Sequence, residues 1–175
     1  MQVVATVVPG ALLLGPGRTG PGSGPVPDLS MFTLRRRRQP SRGAVHGLHG
    51  HLDEPVLVRV LSGAGYTAVI DARPDAGTFG RLAVTLVEDD AMLLVPPGCL
   101  YGVQAVAGET VVEVRAAVLP AEREQLRADP DDPDLNIRWL DPRPRRTPDD
   151  DRSWDALCSR LGAPPGPRRD RVSLW

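Results

Sequence analysis

All three histidines of this chain, His46, His49 and His51, fall within one short segment, Gly43-Ala44-Val45-His46-Gly47-Leu48-His49-Gly50-His51. Imidazole changes charge near neutrality and also binds transition metals, so gathering the whole supply in one place marks a candidate site for acid–base or metal chemistry. His49 and His51 are two residues apart and on a strand would point to one face, the geometry that two metal ligands require. The plainer alternative is a set of packed, hydrogen-bonded core histidines. Glu54 follows closely, and neutral imidazoles with a carboxylate suit Zn, Fe(II), Ni or Mn.

Composition narrows the other chemistries. Every basic side chain besides histidine is arginine, because the sequence has no lysine. Schiff-base catalysis on a lysine amine is therefore excluded. A formal charge of −1 gives no overall attraction to nucleic acid or to an anionic membrane. Cys99 and Cys158 stand alone, without a CxxC pair, which predicts a reduced cytoplasmic protein without structural disulfides. No apolar run reaches the ~20 residues that span a bilayer. Residues 1–14 are apolar but lack a basic start and an Ala-x-Ala cleavage site, so they read as a first strand or strand pair rather than a signal peptide.

The elements that must position the histidines are short strands. Val56–Leu61, Tyr66–Ala72, Arg81–Val87, Ala91–Val95 and Thr110–Ala116 are rich in β-branched or apolar residues and bounded by Gly, Pro or Asp. Their close spacing predicts an all-β sandwich, barrel or jelly roll. Arg35–Arg38 has two readings, a guanidinium cluster for a diphosphate or a solvated basic loop. Gly15–Asp28 reads as a connector, Pro120–Arg127 as a helical turn or two, and Asn136–Leu140 as a returning strand. Ser153 is the expected N-cap of a helix over Trp154–Leu161 that ends at Gly162. A single domain over residues 1–162 with a loose tail over 163–175 is expected.

These pieces, in order, resemble the dTDP-4-dehydrorhamnose 3,5-epimerases. His46-Gly47-Leu48-His49 is similar to the family's Arg-Gly-Leu-His, and Val56–Val60 to its Lys-Leu-Val-Arg-Val strand. Asp71-Ala72-Arg73 with Gly77-Thr78-Phe79-Gly80 resembles Asp-Leu-Arg…Ser-Pro-Thr-Phe-Gly. Pro96-Pro97-Gly98-Cys99-Leu100-Tyr101-Gly102 resembles Ile-Pro-x-Gly-Phe-Ala-His-Gly-Phe. Ile137–Pro142 resembles Ile-x-Trp-Asp-Asp-Pro, and Asp149–Arg152 resembles Leu-Ser-x-Lys-Asp.

The resemblance implies a cupin-type double-stranded β-helix (jelly roll) with short C-terminal helical segments. The implied reaction is proton exchange at a carbon beside the ketone of a dTDP-4-keto-6-deoxysugar, in deoxysugar or antibiotic biosynthesis. Such a carbon acid needs a positioned base and stabilisation of the enolate. The resemblance puts the base on His49 and its orienting carboxylate on Asp151. It also shows departures: the family's lysine is Val56, its tyrosine acid aligns with Glu113, its motif arginine is His46 and its later histidine is Tyr101. Tyr101 is the candidate replacement proton donor, or else fills the space of the lost histidine. His46, His51, Arg59, Glu113 and Trp139 are the candidate substrate-binding residues. The family's fold also implies a homodimer and no cofactor. No metal is assigned, because Glu54 follows His51 too soon for a metallocupin and Tyr101 stands where a further histidine ligand would fall. The alternatives are a cyclase or isomerase for a non-nucleotide natural-product intermediate, and a metal-binding cupin built on His49 and His51.

Overall fold

The computed structural model describes residues 2–15, 25–88, 90–117, 125–142, 150–164 and 172–174. Twelve strands, one 3-10 turn and one α-helix make up the regular structure of these residues. The strands are β1 (Gln2–Ala5), β2 (Leu12–Gly15), β3 (Leu34–Arg38), β4 (Val45–His51), β5 (Val56–Ser62), β6 (Ala64–Asp71), β7 (Leu82–Glu88), β8 (Met92–Val95), β9 (Cys99–Ala105), β10 (Val111–Ala116), β11 (Gln125–Arg127) and β12 (Val172–Leu174). They form two six-stranded sheets, ordered β1-β2-β8-β5-β10-β3 and β11-β4-β9-β6-β7-β12. All pairs are antiparallel except β12 with β7.

Alternation along the strands builds the core between the sheets. Val56, Val58 and Val60 of β5 meet Val69, Val87, Leu93, Val103 and Val112 there. Branched side chains at every second position suit this half-buried, pleated surface. β6 and β9 are buried almost throughout, because the outer face of their sheet is covered as well. Tyr66, Ala68, Ile70 and Leu100 pack there against Leu135, Trp154 and Leu157.

The cover is the C-terminal region, held by polar anchors. Asp132 accepts a hydrogen bond from the Trp154 amide at 2.7 Å, and buried Gln104 bonds the backbone of Asp141 and Gly43. Helix α1 (Trp154–Leu161) matches its sequence signals: the Ser153 hydroxyl caps the Ala156 amide at 3.1 Å, and Gly162 ends the helix.

Three local expectations are corrected. Gln125–Arg127 is a strand, not part of a helix, since pairing to the open edge of β4 outweighs the helix propensity of these residues. Residues 120–124 lie outside the described residues. Asn136–Leu140 is irregular, with Asn136 at φ 45° and the Trp139 indole bonded to the Pro130 carbonyl at 2.9 Å. The four arginines form an edge strand, β3, rather than a loop, and charge on an edge discourages further strand pairing. In the C-terminal tail, Val172–Leu174 adds a parallel strand beside β7, and residues 165–171 lie outside the described residues.

Candidate active site

A cavity of about 460 Å³ opens between the edge strands of the two sheets. One wall comes from β3 and β10, through Leu34, Arg35, Arg36, Arg38, Val114 and Ala116. The facing wall comes from β4, β9 and β11 and carries His46, His49, His51, Tyr101, Gln125 and Arg127.

His46 and His49 share this wall because β4 is irregular. The ladder to β9 shifts register between Gly47 and His49, where the Gly47–Leu48 peptide is cis. In a regular strand, residues three apart face opposite sides, and a bulge re-aims one of them. The two imidazoles consequently meet edge to face at 4.9 Å between ring centroids. Tyr101 is the cross-strand partner of His49, with ring centroids 6.4 Å apart. On the other side of β4, Arg127 stands opposite His49 and Gln125 opposite His51. Cross-strand partners present their side chains on one face.

The cavity is electropositive. Among the described residues that line it none is Asp or Glu, whereas four are arginines. On β3 the alternation sorts these charges by face. Arg37 turns away from the cavity and pairs with Glu113 at 2.8 Å, and Arg115 pairs with the other Glu113 oxygen. Arg36 and Arg38 have no carboxylate partner among the described residues.

Burial first, then the charges of His46, Arg127, Arg152 and Arg38, push His49 down to about 4. Burial and the charges of Arg38 and Arg36 lower His46 as well. Burial pushes the Tyr101 phenol up to about 12, against the opposing pull of Arg36 and Arg38. At neutral pH His49 is therefore an uncharged imidazole and Tyr101 an intact phenol.

Of the residues singled out from the sequence, His46, His49, His51 and Tyr101 meet in this cavity. Four others do not. Asp151 is exposed on the 3-10 turn Asp150–Arg152, and among the described residues no hydrogen bond joins it to His49. The group of that turn that acts on His49 is Arg152. Glu113 faces the outer side of its sheet, because Val112 and Val114 take the inward positions of β10. Arg59, opposite Glu113, is on that outer side too and pairs with Asp90 at 3.1 Å. Trp139 packs against Tyr66 under the second sheet, at 6.2 Å between ring centroids. The sequence reading missed Gln125 and Arg127, and it left Arg36 and Arg38 open. Strand alternation over Leu34–Arg38 would have separated Arg37 from its neighbours, but a run of identical residues hides that alternation. Among the described residues no group of three His, Cys, Asp or Glu is placed to hold a metal ion. No helix of the described residues is long and apolar enough to cross a membrane.

Comparison with known proteins gives a consistent picture. A family model described as dTDP-4-dehydrorhamnose 3,5-epimerase matches residues 30–159. A relative of that name from Methanothermobacter thermautotrophicus is 29% identical over 126 residues, which is 66% of each chain. The chain thus spans about two thirds of the length of that relative. Among solved structures, NovW, a 4-keto-6-deoxy sugar epimerase from the novobiocin gene cluster of Streptomyces spheroides, superposes with a TM-score of 0.76 at 20% identity, covering 94% of this chain and 92% of its own. A dTDP-4-dehydrorhamnose 3,5-epimerase from Bacillus anthracis, with TDP and pyrophosphate bound, gives 0.69 at 22% identity, covering 82% and 92%.

Proposed function

Because the chain belongs to the dTDP-4-dehydrorhamnose 3,5-epimerase family and has its cupin-type jelly roll, we propose that it exchanges a proton at a carbon beside the ketone of a dTDP-4-keto-6-deoxysugar, with His49 as the base. The observation that carries this reading is the placement of an uncharged His49 on the wall of a cavity that, among the described residues, is lined by arginines and by no carboxylate. A neutral imidazole accepts the proton, and the C–H electron pair moves into the carbonyl to give an enolate. Arg127, beside His49 on the next strand, is the cation best placed to offset the charge on the enolate oxygen.

The return of a proton distinguishes this cavity. Among the described residues, the wall facing His49 offers Leu34, Arg35, Arg36, Arg38, Val114 and Ala116, with no Tyr, His or carboxylic acid to serve as a proton donor. Tyr101 stands on the same wall as His49. Inversion of the carbon therefore draws its proton from water entering between β3 and β11, while His49 releases its own to solvent.

The test is proton exchange. Incubation with dTDP-4-keto-6-deoxyglucose in heavy water should place deuterium at C3 or C5, and His49→Ala should abolish that signal while still binding dTDP. Absence of exchange in the wild-type protein would sink the reading. The same reading takes the protein to be a cytoplasmic homodimer, which light scattering tests directly, since a monomeric mass would end it. Work in antibiotic biosynthesis is the variant suggested by the likeness to NovW, from the novobiocin gene cluster.

A further inference from the structure

The arginines of the cavity are unequal in a way that the proposed reaction does not use. Adjacent residues of one strand divide into a neutralised set and an exposed set. Arg37 shares the buried Glu113 with Arg115, whereas Arg36 and Arg38 face the cavity without a carboxylate among the described residues. Arg127 faces them from β11, its guanidinium donating to the neutral Gln125 amide oxygen at 2.6 Å. Two residues apart on a strand, Arg36 and Arg38 are separated by about 7 Å, so each guanidinium fork can take one of two neighbouring phosphate groups.

Among the described residues, the titratable and charged groups that face His49 are His46 and His51 on its own strand, Tyr101 on β9, Arg127 on β11, Arg36 and Arg38 on β3, and Arg152 on the 3-10 turn. Every charge among them is positive or neutral. With the cavity empty, they oppose protonation of the imidazole. An anion seated on the same arginines reverses that balance.

We propose that Arg36 and Arg38 bind the diphosphate of the substrate, and that its arrival makes His49 a competent base for the carbon acid held beside it. The gating rests on the reading of His49 as the base of this site. The anion site itself stands apart from the identity of the sugar. Its consequence is selectivity, since a keto compound without the anionic group would enter a cavity whose base is switched off.

The probes are inorganic pyrophosphate and dTDP, and the readout is the titration of the three imidazoles by proton NMR, assigned with His46→Gln, His49→Gln and His51→Gln. Saturating pyrophosphate should raise the His49 midpoint by one pH unit or more. Arg36→Gln and Arg38→Gln should each weaken pyrophosphate binding at least fivefold, and together more than twentyfold. Arg37→Gln removes the same charge from the same strand on the opposite face, and should stay within twofold of wild type. Circular dichroism confirms that each variant is folded.

An unmoved His49 midpoint with pyrophosphate bound would overturn the gating. Equal losses in Arg37→Gln and Arg38→Gln would overturn the site, leaving only a general attraction between charges. A raised midpoint without deuterium exchange on the keto sugar would uphold the anion gate and remove the proposed sugar reaction, so the two readings fail separately.

Discussion

The ring centroids of His46 and His49 stand 4.9 Å apart, edge to face, although the two residues are three positions apart on one strand. The register shift at Gly47–His49 turns what alternation would place on two faces into a pair on one. Two imidazoles that close cannot both carry a proton at ordinary cost, and the charge of His46 adds to burial in holding His49 neutral.

That coupling is measurable. His46→Gln removes one of the charges that hold His49 down at about 4, and the His49 midpoint should move upward, toward 6.5. Burial, the larger cause, persists, so recovery is partial, within about one pH unit. An NMR titration of the variant reads this directly. A midpoint that fell or stayed fixed would show that the pair does not interact through charge.

Placement of His46, His49, His51 and Tyr101 on one wall predicts a kinetic signature. Solvent exchange at the reacting carbon should outpace net inversion, because the proton leaves through His49 but returns on the far face from water. Tyr101→Phe should lower exchange less than tenfold, far short of the ~10²–10⁴ expected for loss of a general acid. Asp151→Asn should likewise stay within a few-fold, given its exposed position without a hydrogen bond to His49. Mass spectrometry of substrate deuterium against chiral analysis of product separates the two rates. A hundredfold loss in either variant would restore that residue to the chemistry.

The wall also depends on close backbone approach. A Cβ on Gly50 would lie 2.1 Å from the Cys99 carbonyl oxygen, and one on Gly108 would meet nothing within 4 Å. Gly50→Ala must push β4 away from β9, carrying His49 and His51 with it. It should cost about 2–4 kcal/mol, in the range of overpacked cores or above, whereas Gly108→Ala should change stability by less than 1 kcal/mol. Thermal melts of the two variants compare them; equal melting temperatures would contradict the packing.

Much of this architecture is legible in the chain. The hairpin near the N-terminus, the strands β5, β6, β7, β8 and β10, and α1 with its Ser153 cap all follow from β-branched runs, turn residues and capping signals. The site was legible only as far as its histidines. Asp151 and Trp139 were placed in it by likeness to a motif, yet motif order says nothing about which side of a sheet a side chain takes. Glu113 lies on a strand as expected, but alternation puts it on the outer face, where it pairs with Arg37 and Arg115. Arg127 was hidden because three residues pair with β4 as a strand only through tertiary contact, while their local sequence favours helix. The pairing of His46 with His49 rests on an irregularity that no periodicity encodes.

Acid stability follows from two of these residues. Above pH 7 His49 is neutral both in the fold and in the unfolded chain, so it contributes nothing to the pH dependence. Between about 6.5 and 4 the unfolded chain binds a proton there that the fold refuses, and stability falls as the pH drops. The size is about 1–3 kcal/mol, toward the lower end because the ring is partly exposed. Burial alone would raise the Glu113 carboxyl, but its hydrogen bonds to Arg37 and Arg115 outweigh that and hold it below 4.5. Its contribution is present above about 4.5 and is lost as the pH falls through the lowered value. Denaturation by urea from pH 7.5 to 4 should therefore show a steady loss of stability that His49→Gln flattens between 6.5 and 5. Glu113→Gln should act differently. It leaves Arg37 and Arg115 without a carboxylate and should cost about 1–3 kcal/mol already at pH 7.5, with the slope between 6.5 and 5 unchanged. An identical slope in wild type and His49→Gln would show that the imidazole is not held neutral by the fold.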